Sequence, residues 1–283
     1  MLEGLGRLLE ELFGWVVGST LLPNQDFSVR QWALRPALFV IVLVIALELL
    51  IPKEKRGWNK QHLLTFTHFV MSGKVALFTF ITLPAMQWAW IRFRLPSLHL
   101  DEVLHPLAFM ALSLLVFSFI DYWAHRMLHR LPLLWHIHKI HHAPAQLTWA
   151  STFQEHFAMT LTSVPLLTAS TLLLGVHLVP PWGSLYLLVN YLQHANTAVR
   201  FGWLNYVFAL PEVHRYHHAR DPRYYDKNFG GGFVFWDMIF GTYHYDPKNP
   251  AVEFGLDDVP ASWWRQQVEP LRWIARDLTR RPG

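Results

Sequence analysis

Long apolar stretches, rather than alternating ones, dominate the chain: Trp32 to Ile51, Leu63 to Trp88, Leu104 to Ile120 and Phe157 to Val199. The last contains no Asp, Glu, Lys or Arg. A helix needs roughly 20 residues to cross a bilayer, so this run is long enough for two crossings. They would turn at GVHLVPPWG, Gly175 to Gly183, where glycine and proline end helices. The pattern predicts four to five membrane helices, some of them re-entrant. At the N-terminus, Leu2, Leu5, Leu8, Leu9, Leu12, Phe13 and Val16 recur at helical spacing, which predicts an interfacial amphipathic helix. Glu3, Glu10 and Glu11 stand where a cleaved signal peptide carries positive charge. In the C-terminal tail, Trp263, Trp264, Leu271, Trp273 and Ile274 are the expected surface-docking residues. The expected organisation is a single membrane domain over 1–283. It comprises an interfacial helix at 1–27, membrane helices within 28–120, a first histidine-bearing cap segment at 121–156, a membrane hairpin at 157–199, a second cap segment at 200–250 and a tail at 251–283.

Composition supports the membrane reading. Hydrophobic residues make up 52% of the chain and charged residues only 16%, where a soluble domain carries about a quarter. The net charge of +4 and pI near 9.4 do not imply a nucleic-acid partner, because the basic residues sit beside apolar runs where anionic lipid headgroups would meet them. Lys53, Lys55, Arg56 and Lys60 in the first connection outweigh Arg92 and Arg94, which precede Asp101 and Glu102 in the second. The first connection is therefore the cytoplasmic one. Followed through the chain, this orientation brings His125, the start of the hairpin at Phe157 and its return near His194 to the same, cytoplasmic side. Zero cysteines exclude disulfides, thiolate-held clusters and a Cys nucleophile. Any metal must use imidazole or carboxylate.

The chemistry-bearing pattern is HRMLHRLPLLWHIHKIHH, His125 to His142, answered later by HRYHH, His214 to His218. His125 and His129 are four apart and share a helical face. His138, His141 and His142, and again His214, His217 and His218, are spaced by three and four, so each block is expected to grip one ion from one face. His194 joins them from the hairpin's return. Nine imidazoles are too many for one tetrahedral ion, which implies two metals. Imidazole suits Zn, Cu, Fe and Ni alike, and the H-E-x-x-H of a zincin is missing. His62, His68, His99, His105, His177 and His244 are isolated and read as structural, and His136 falls on the face opposite His138. His156 is a possible tenth ligand or supporting group. Asn196, Asp121, Glu212 and Asp237 are candidates to orient ligand rings through the second nitrogen, Asp121 and Asp237 foremost because their neighbours are apolar.

These motifs resemble the fatty acid hydroxylase superfamily, and within it the sterol desaturase-like branch. The resemblance rests on DYWAHRMLH (Asp121 to His129), LWHIHKIHH (Leu134 to His142), HAN (His194 to Asn196), HRYHH (His214 to His218) and NFGGGFVFWDMIFGT (Asn228 to Thr242), in the family's order. One departure is QEHFAM, Gln154 to Met159, where the branch often carries Arg-x-His-Pro-x-Glu and only the histidine is kept. The resemblance implies an all-α integral membrane protein with a cytoplasmic helical cap carrying a histidine-rich dinuclear site. It also implies two iron ions and a lipid substrate hydroxylated or desaturated with O2 and reducing equivalents. NFGGG is not a phosphate loop, since no Lys-Ser/Thr follows it.

No flavin, nicotinamide or haem motif is visible, so electrons would come from an external donor, a ferredoxin or cytochrome with its reductase. Arg126, Arg130, Lys139, Arg215, Arg220 and Arg223 are the residues that could dock one. The expected location is an integral membrane one, the inner membrane if the source is bacterial. The competing class is a non-enzymatic membrane metal-binding or metal-transport protein. Transport calls for ionisable groups within the spans, and Glu48, His68 and Lys74 are few.

Overall fold

The computed structural model describes residues 29–55, 59–72, 82–175 and 183–279; the interfacial helix expected at 1–27, Lys74, and His177 with the hairpin turn lie outside them. Among the described residues regular structure is helical, with no strand and three isolated bridges: Pro52 to Thr197, Phe208 to Phe233 and Ala219 to Phe254. In chain order the helices are α1 (Val29–Leu50), α2 (Lys60–Ser72), α3 (Leu83–Arg92), α4 (Leu100–Val103), α5 (Pro106–Arg130) and α6 (Pro132–His138). They continue with α7 (Phe157–Leu174), α8 (Gly183–Leu192), α9 (Pro211–His217), α10 (Phe235–Ile239) and α11 (Trp263–Thr279).

α5 and α7 are long and apolar enough to cross a membrane, and Phe39–Leu50 within α1 is a shorter apolar stretch. The apolar run Leu63 to Trp88 holds α2 and α3. The start of α5 is fixed by the His105 ring, which accepts the Leu107 N–H at 3.3 Å, and by Pro106, whose missing N–H costs nothing in the first turn. The helix does not stop where the apolar run does, at Ile120, but continues to Arg130 and carries DYWAHRMLHR on the same axis. It ends because Leu131 precedes a proline and takes an extended conformation, φ −97 and ψ 116.

The arms of the expected hairpin have different neighbours: α7 lies against α5 and α3, and α8 lies along α1. Val40 and Val44 of α1, Tyr191 and Leu192 of α8, Phe153, Ala195 and Leu210 form one buried core. Past the helix ends, Lys53 N–H donates to Asn196 C=O at 3.2 Å and Ala198 N–H to Ile51 C=O at 2.8 Å, so the C-terminal ends of α1 and α8 are tied together. Glu48 closes this junction. One of its carboxylate oxygens accepts the backbone N–H of Trp149 at 2.5 Å and of Asn196 at 2.7 Å, pinning the 3-10 turn Trp149–Phe153 against the segment that follows His194. An acidic residue in an apolar helix is thus a clamp on two backbone donors that otherwise have nowhere to bond. The ends of α1, α5 and α8 and the start of α7 meet at one level, and the histidines gather there.

Replacing Glu48 with Ala is expected to lower stability by about 1–3 kcal/mol, since two part-buried backbone donors lose their acceptor. Glu48→Gln, which keeps an oxygen, should retain most of that. Thermal unfolding of the purified protein in detergent measures both.

Candidate metal centre

The nine clustered histidines sort into two groups. His125, His129, His138, His142 and His217 bring one ring nitrogen each to within 4.8 Å of one another, and so do His141, His194, His214 and His218. This corrects the expectation that each HxxHH block grips a single ion. α6 ends at His138, with His141 and His142 in the turn after it, and α9 ends at His217 with His218 capping it. In each block the residues four apart share a group, His138 with His142 and His214 with His218. The residue three along, His141 or His217, joins the other group. The cause is angular. Neighbouring residues on a helical turn diverge by about 100°, whereas residues four apart diverge by about 40°. Adjacent histidines therefore face different centres, and the blocks interlock. The groups touch where the His142 and His218 rings stack at 4.4 Å between centroids.

Within the groups the Nε2 atoms converge. His138 Nε2 lies 3.1 Å from that of His125 and 3.2 Å from that of His142. His194 Nε2 lies 3.1 Å from those of His141, His214 and His218. Two nitrogens each about 2.1 Å from one ion stand about 3.0 Å apart at a right angle and about 3.4 Å apart at the tetrahedral angle. The observed spacing is that of co-ligands.

The outer nitrogens explain why Nε2 points inward. His125 Nδ1–H donates to the Phe229 carbonyl and His217 Nδ1–H to the Lys227 carbonyl, both at 2.8 Å, and His141 Nδ1–H donates to the Gln154 carbonyl at 3.3 Å. His194 Nδ1–H meets Thr152 Oγ1 at 2.9 Å, and that hydroxyl passes its own proton to Asn190 C=O. These contacts place the proton outside and the lone pair inside. The buried Nε2 atoms of His129 and His217 have no hydrogen-bond partner. Burial, and next the neighbouring imidazoles, push His138, His142, His214, His217 and His218 well below the ordinary histidine pKa. All five are neutral at neutral pH, the state that donates to a metal. A tight array of inward lone pairs with protonation suppressed fits a cation in each group.

Asp237 supports the first group through one intermediate. Its carboxylate accepts Phe229 N–H at 2.7 Å, Gly230 N–H at 2.8 Å and the Thr242 hydroxyl at 2.7 Å, fixing the peptide whose carbonyl orients His125. Burial pushes its pKa up to about 6 while the three donors pull it back. The glycines of NFGGG allow the close approach: a Cβ at Gly230 would lie 2.2 Å from Phe233 O, and one at Gly231 would lie 2.2 Å from Asp121 Oδ2. Among the other sequence candidates, Asp121 accepts the Tyr186 hydroxyl, joining α5 to α8. Glu212 accepts from Phe201 N–H, Asn205 Nδ2 and the Tyr245 hydroxyl, and the Asn196 side-chain amide accepts Glu54 N–H at Oδ1 and donates from Nδ2 to Glu54 C=O. His156 joins neither group. Its Nδ1 accepts Ala158 N–H at 3.1 Å to cap α7, and its Nε2–H donates to Gln267 C=O at 2.8 Å.

His136 is outside both groups, as expected, and bonds Asp277 at 2.6 Å. His68 meets Gln266, while His62, His105 and His244 occupy turn, cap and ring-packing positions. His99 pairs with Glu102 in an exposed group with Asp101 at the opposite end of α5. The sequence reading missed Thr152, Gln154, Met159, Lys227 and Phe229. All but Thr152 and Met159, whose sulfur lies 3.5 Å from His138 Nδ1, act through main-chain carbonyls that leave no residue signature. The expected docking cations do not form a patch. Arg215 and Lys139 are buried, and Arg130, Arg220 and Arg223 pair with Asp226, Asp257 and Asp221. Arg126 lies against Tyr122 and Trp123.

Residues 110–242 match the fatty acid hydroxylase family, as the motifs led us to expect. An ornithine lipid hydroxylase of Rhizobium tropici is 32% identical over 166 residues, 58% of this chain and 50% of that protein. The alkylglycerol monooxygenase of Homo sapiens is 28% identical over 179 residues, 63% of this chain and 39% of that protein. A very-long-chain aldehyde decarbonylase of Oryza sativa subsp. indica is 30% identical over 182 residues, 62% of this chain and 65% of that protein. The chain spans half or less of the first two relatives' own lengths. No solved structure matches it.

Asp237→Asn puts an amide group where three donors need an acceptor and loosens the Phe229 carbonyl. The expected outcome is a roughly 10–100-fold loss of metal affinity at the five-histidine group, read as iron(II) retention against a graded chelator series, with the four-histidine group little changed.

Proposed function

Residues 110–242 belong to the fatty acid hydroxylase family, and from that premise we propose that the protein is a membrane-bound di-iron oxygenase that hydroxylates or desaturates an unactivated C–H bond of a lipid. The observation that carries the proposal is the interlocked pair of buried imidazole groups, five and four, each with its Nε2 atoms at co-ligand spacing. Two irons held there would supply the activation of O2 and the removal of hydrogen from carbon that side chains alone cannot perform. The chain's own residues do the rest. The Phe229, Lys227 and Gln154 carbonyls hold three ring protons outward, Asp237 holds the Phe229 peptide, and the burial of the ligand rings keeps bulk water from the reacting atoms. α5 and α7, two helices among the described residues that are long and apolar enough to cross a membrane, flank the centre, so a lipid chain reaches it from the bilayer. The four to five spans, the cytoplasmic cap and the external ferredoxin- or cytochrome-type donor belong to this proposal.

Family membership and the names of the relatives, two lipid hydroxylating enzymes and an aldehyde decarbonylase, favour an oxygenase over a metal transporter. Residue roles point the same way: Glu48 is spent on two backbone donors and His68 on Gln266, leaving neither as a relay. The substrate class is a lipid. Ornithine lipids, alkylglycerols and very-long-chain aldehydes, the compounds named in the relatives, are the ones to screen.

Purified protein from iron-replete cells is expected to hold about two irons per chain, with His129→Ala and His214→Ala each losing about one. With a reductant, O2 and a mixed lipid extract, the wild type should yield an oxygenated or unsaturated lipid and both variants should not. A single zinc, or metal content untouched by either variant, would sink the proposal.

A further inference from the structure

α11 turns two glutamines toward the protein and leaves large apolar side chains outside. Gln266, Gln267 and Pro270 are buried, while Trp264, Leu271 and Leu278 are 66%, 45% and 68% exposed. Those three are seven apart and form one stripe. Arg265, Arg272 and Arg276 flank it, with side chains 66%, 69% and 57% exposed; the first two share the single, largely covered carboxylate of Glu269 at 3.7 and 3.0 Å, and Arg276 lies 3.7 Å from Asp277, whose other oxygen takes His136, so three exposed cations face two acids and keep charge to offer an anionic surface. This refines the expectation for the tail: Trp264 and Leu271 are free, whereas Trp273 packs beneath Lys139 at 3.9 Å. Trp263 is partly buried, lining a cavity of about 190 Å³ with Phe157 and Leu161.

The buried side of the helix fixes its height. Gln267 Oε1 accepts Phe157 N–H at 2.8 Å and Gln267 C=O accepts His156 Nε2–H at 2.8 Å, pinning α11 to the first turn of α7. At the other end, Asp277 takes His136 at 2.6 Å, on the short α6 that follows α5. α11 therefore lies across the start of one membrane-crossing candidate and the end of the other. The apolar surface of α7's first turns, Phe157 and Leu161, continues through Trp263 to Trp264. A Trp and Leu stripe bordered by arginines, held at the level where apolar helices end, is complementary to a bilayer surface bearing anionic headgroups. We propose that α11 is an interfacial anchor whose Trp264, Leu271 and Leu278 enter the headgroup–acyl boundary of an anionic membrane while Arg265, Arg272 and Arg276 hold its phosphates. The proposal rests on the membrane reading of α5 and α7, and goes beyond it.

The chain has no cysteine, so a single introduced one carries a unique nitroxide. Trp264→Cys, Leu271→Cys and Leu278→Cys are labelled in the full protein in nanodiscs of phosphatidylcholine with and without phosphatidylglycerol. Leu115→Cys on exposed α5 surface and Lys248→Cys in the exposed cap serve as references. The expected result is that all three α11 labels collide with O2 and are shielded from a water-soluble nickel chelate, more strongly with phosphatidylglycerol. That lipid dependence should disappear when the three arginines are changed to Gln. If the α11 labels match Lys248→Cys while Leu115→Cys reports lipid, the anchor is wrong and the membrane reading stands. If Leu115→Cys is itself in water, both fall. Dipolar broadening between chains would make a second copy the occupant and overturn the proposal, and indifference to phosphatidylglycerol would overturn the anionic-lipid assignment.

Discussion

Nitrogen lone pairs gathered in a buried space repel one another and have lost their water, a cost that a cation placed among them would relieve. Nine imidazoles here are gathered in that way, and much of the architecture serves to bring them inward with their protons outward. The four supporting acceptors lie on two segments: the Lys227 and Phe229 carbonyls on one, and the Thr152 hydroxyl and Gln154 carbonyl on the other. Each must hold its position when no metal strengthens the array, which is why a second tier of contacts lies behind them. Asp237 gathers Phe229, Gly230 and Thr242, and Glu48 holds the ends of the two segments that carry Thr152 and His194.

The helical scaffold and the site are continuous. α5 is at once an apolar helix and a histidine-bearing one, because the sequence after Ile120 keeps a four-residue period through Asp121, His125 and His129 without a glycine or proline until Pro132. Whatever fixes α5 in its surroundings therefore fixes two histidines of the first group. α7 and α8 bring in His194 and the segment bearing Thr152 and Gln154, and α9 with its capping residue His218 supplies one histidine to the first group and two to the second.

Much of this could be read from the sequence, and the boundary of what could has physical causes. The nine histidines were identifiable from spacing, because periodicity reports which side chains share a face. Spacing shows that adjacent histidines face different ways, but which centre each one faces, and that His194 joins His141, His214 and His218, is decided by the fold. Adjacent histidines diverge by about 100° on a helical turn, and giving that divergence less weight than proximity in sequence led to the expectation of one ion per block. Asp237 stood out as an acid among apolar neighbours, although it acts one peptide away from the ring it steadies. The carbonyl partners were not legible, since every residue has a carbonyl and only the fold decides which one faces a histidine. Glu212 and Asn196, beside histidines in sequence, turned out to organise loops, and the cations expected to receive a redox partner are mostly consumed by acids of the same chain.

The central claim is that two inequivalent metal ions sit in one buried, all-imidazole cradle, one served by five histidines and the other by four. Mössbauer spectroscopy of protein grown on iron-57 tests this most directly, because each iron nucleus reports its own ligand field. Two high-spin ferrous subspectra of equal area and different quadrupole splitting are expected from the reduced protein. A single component from one iron per chain, or no bound iron in folded protein, would contradict the two-ion reading of the cradle.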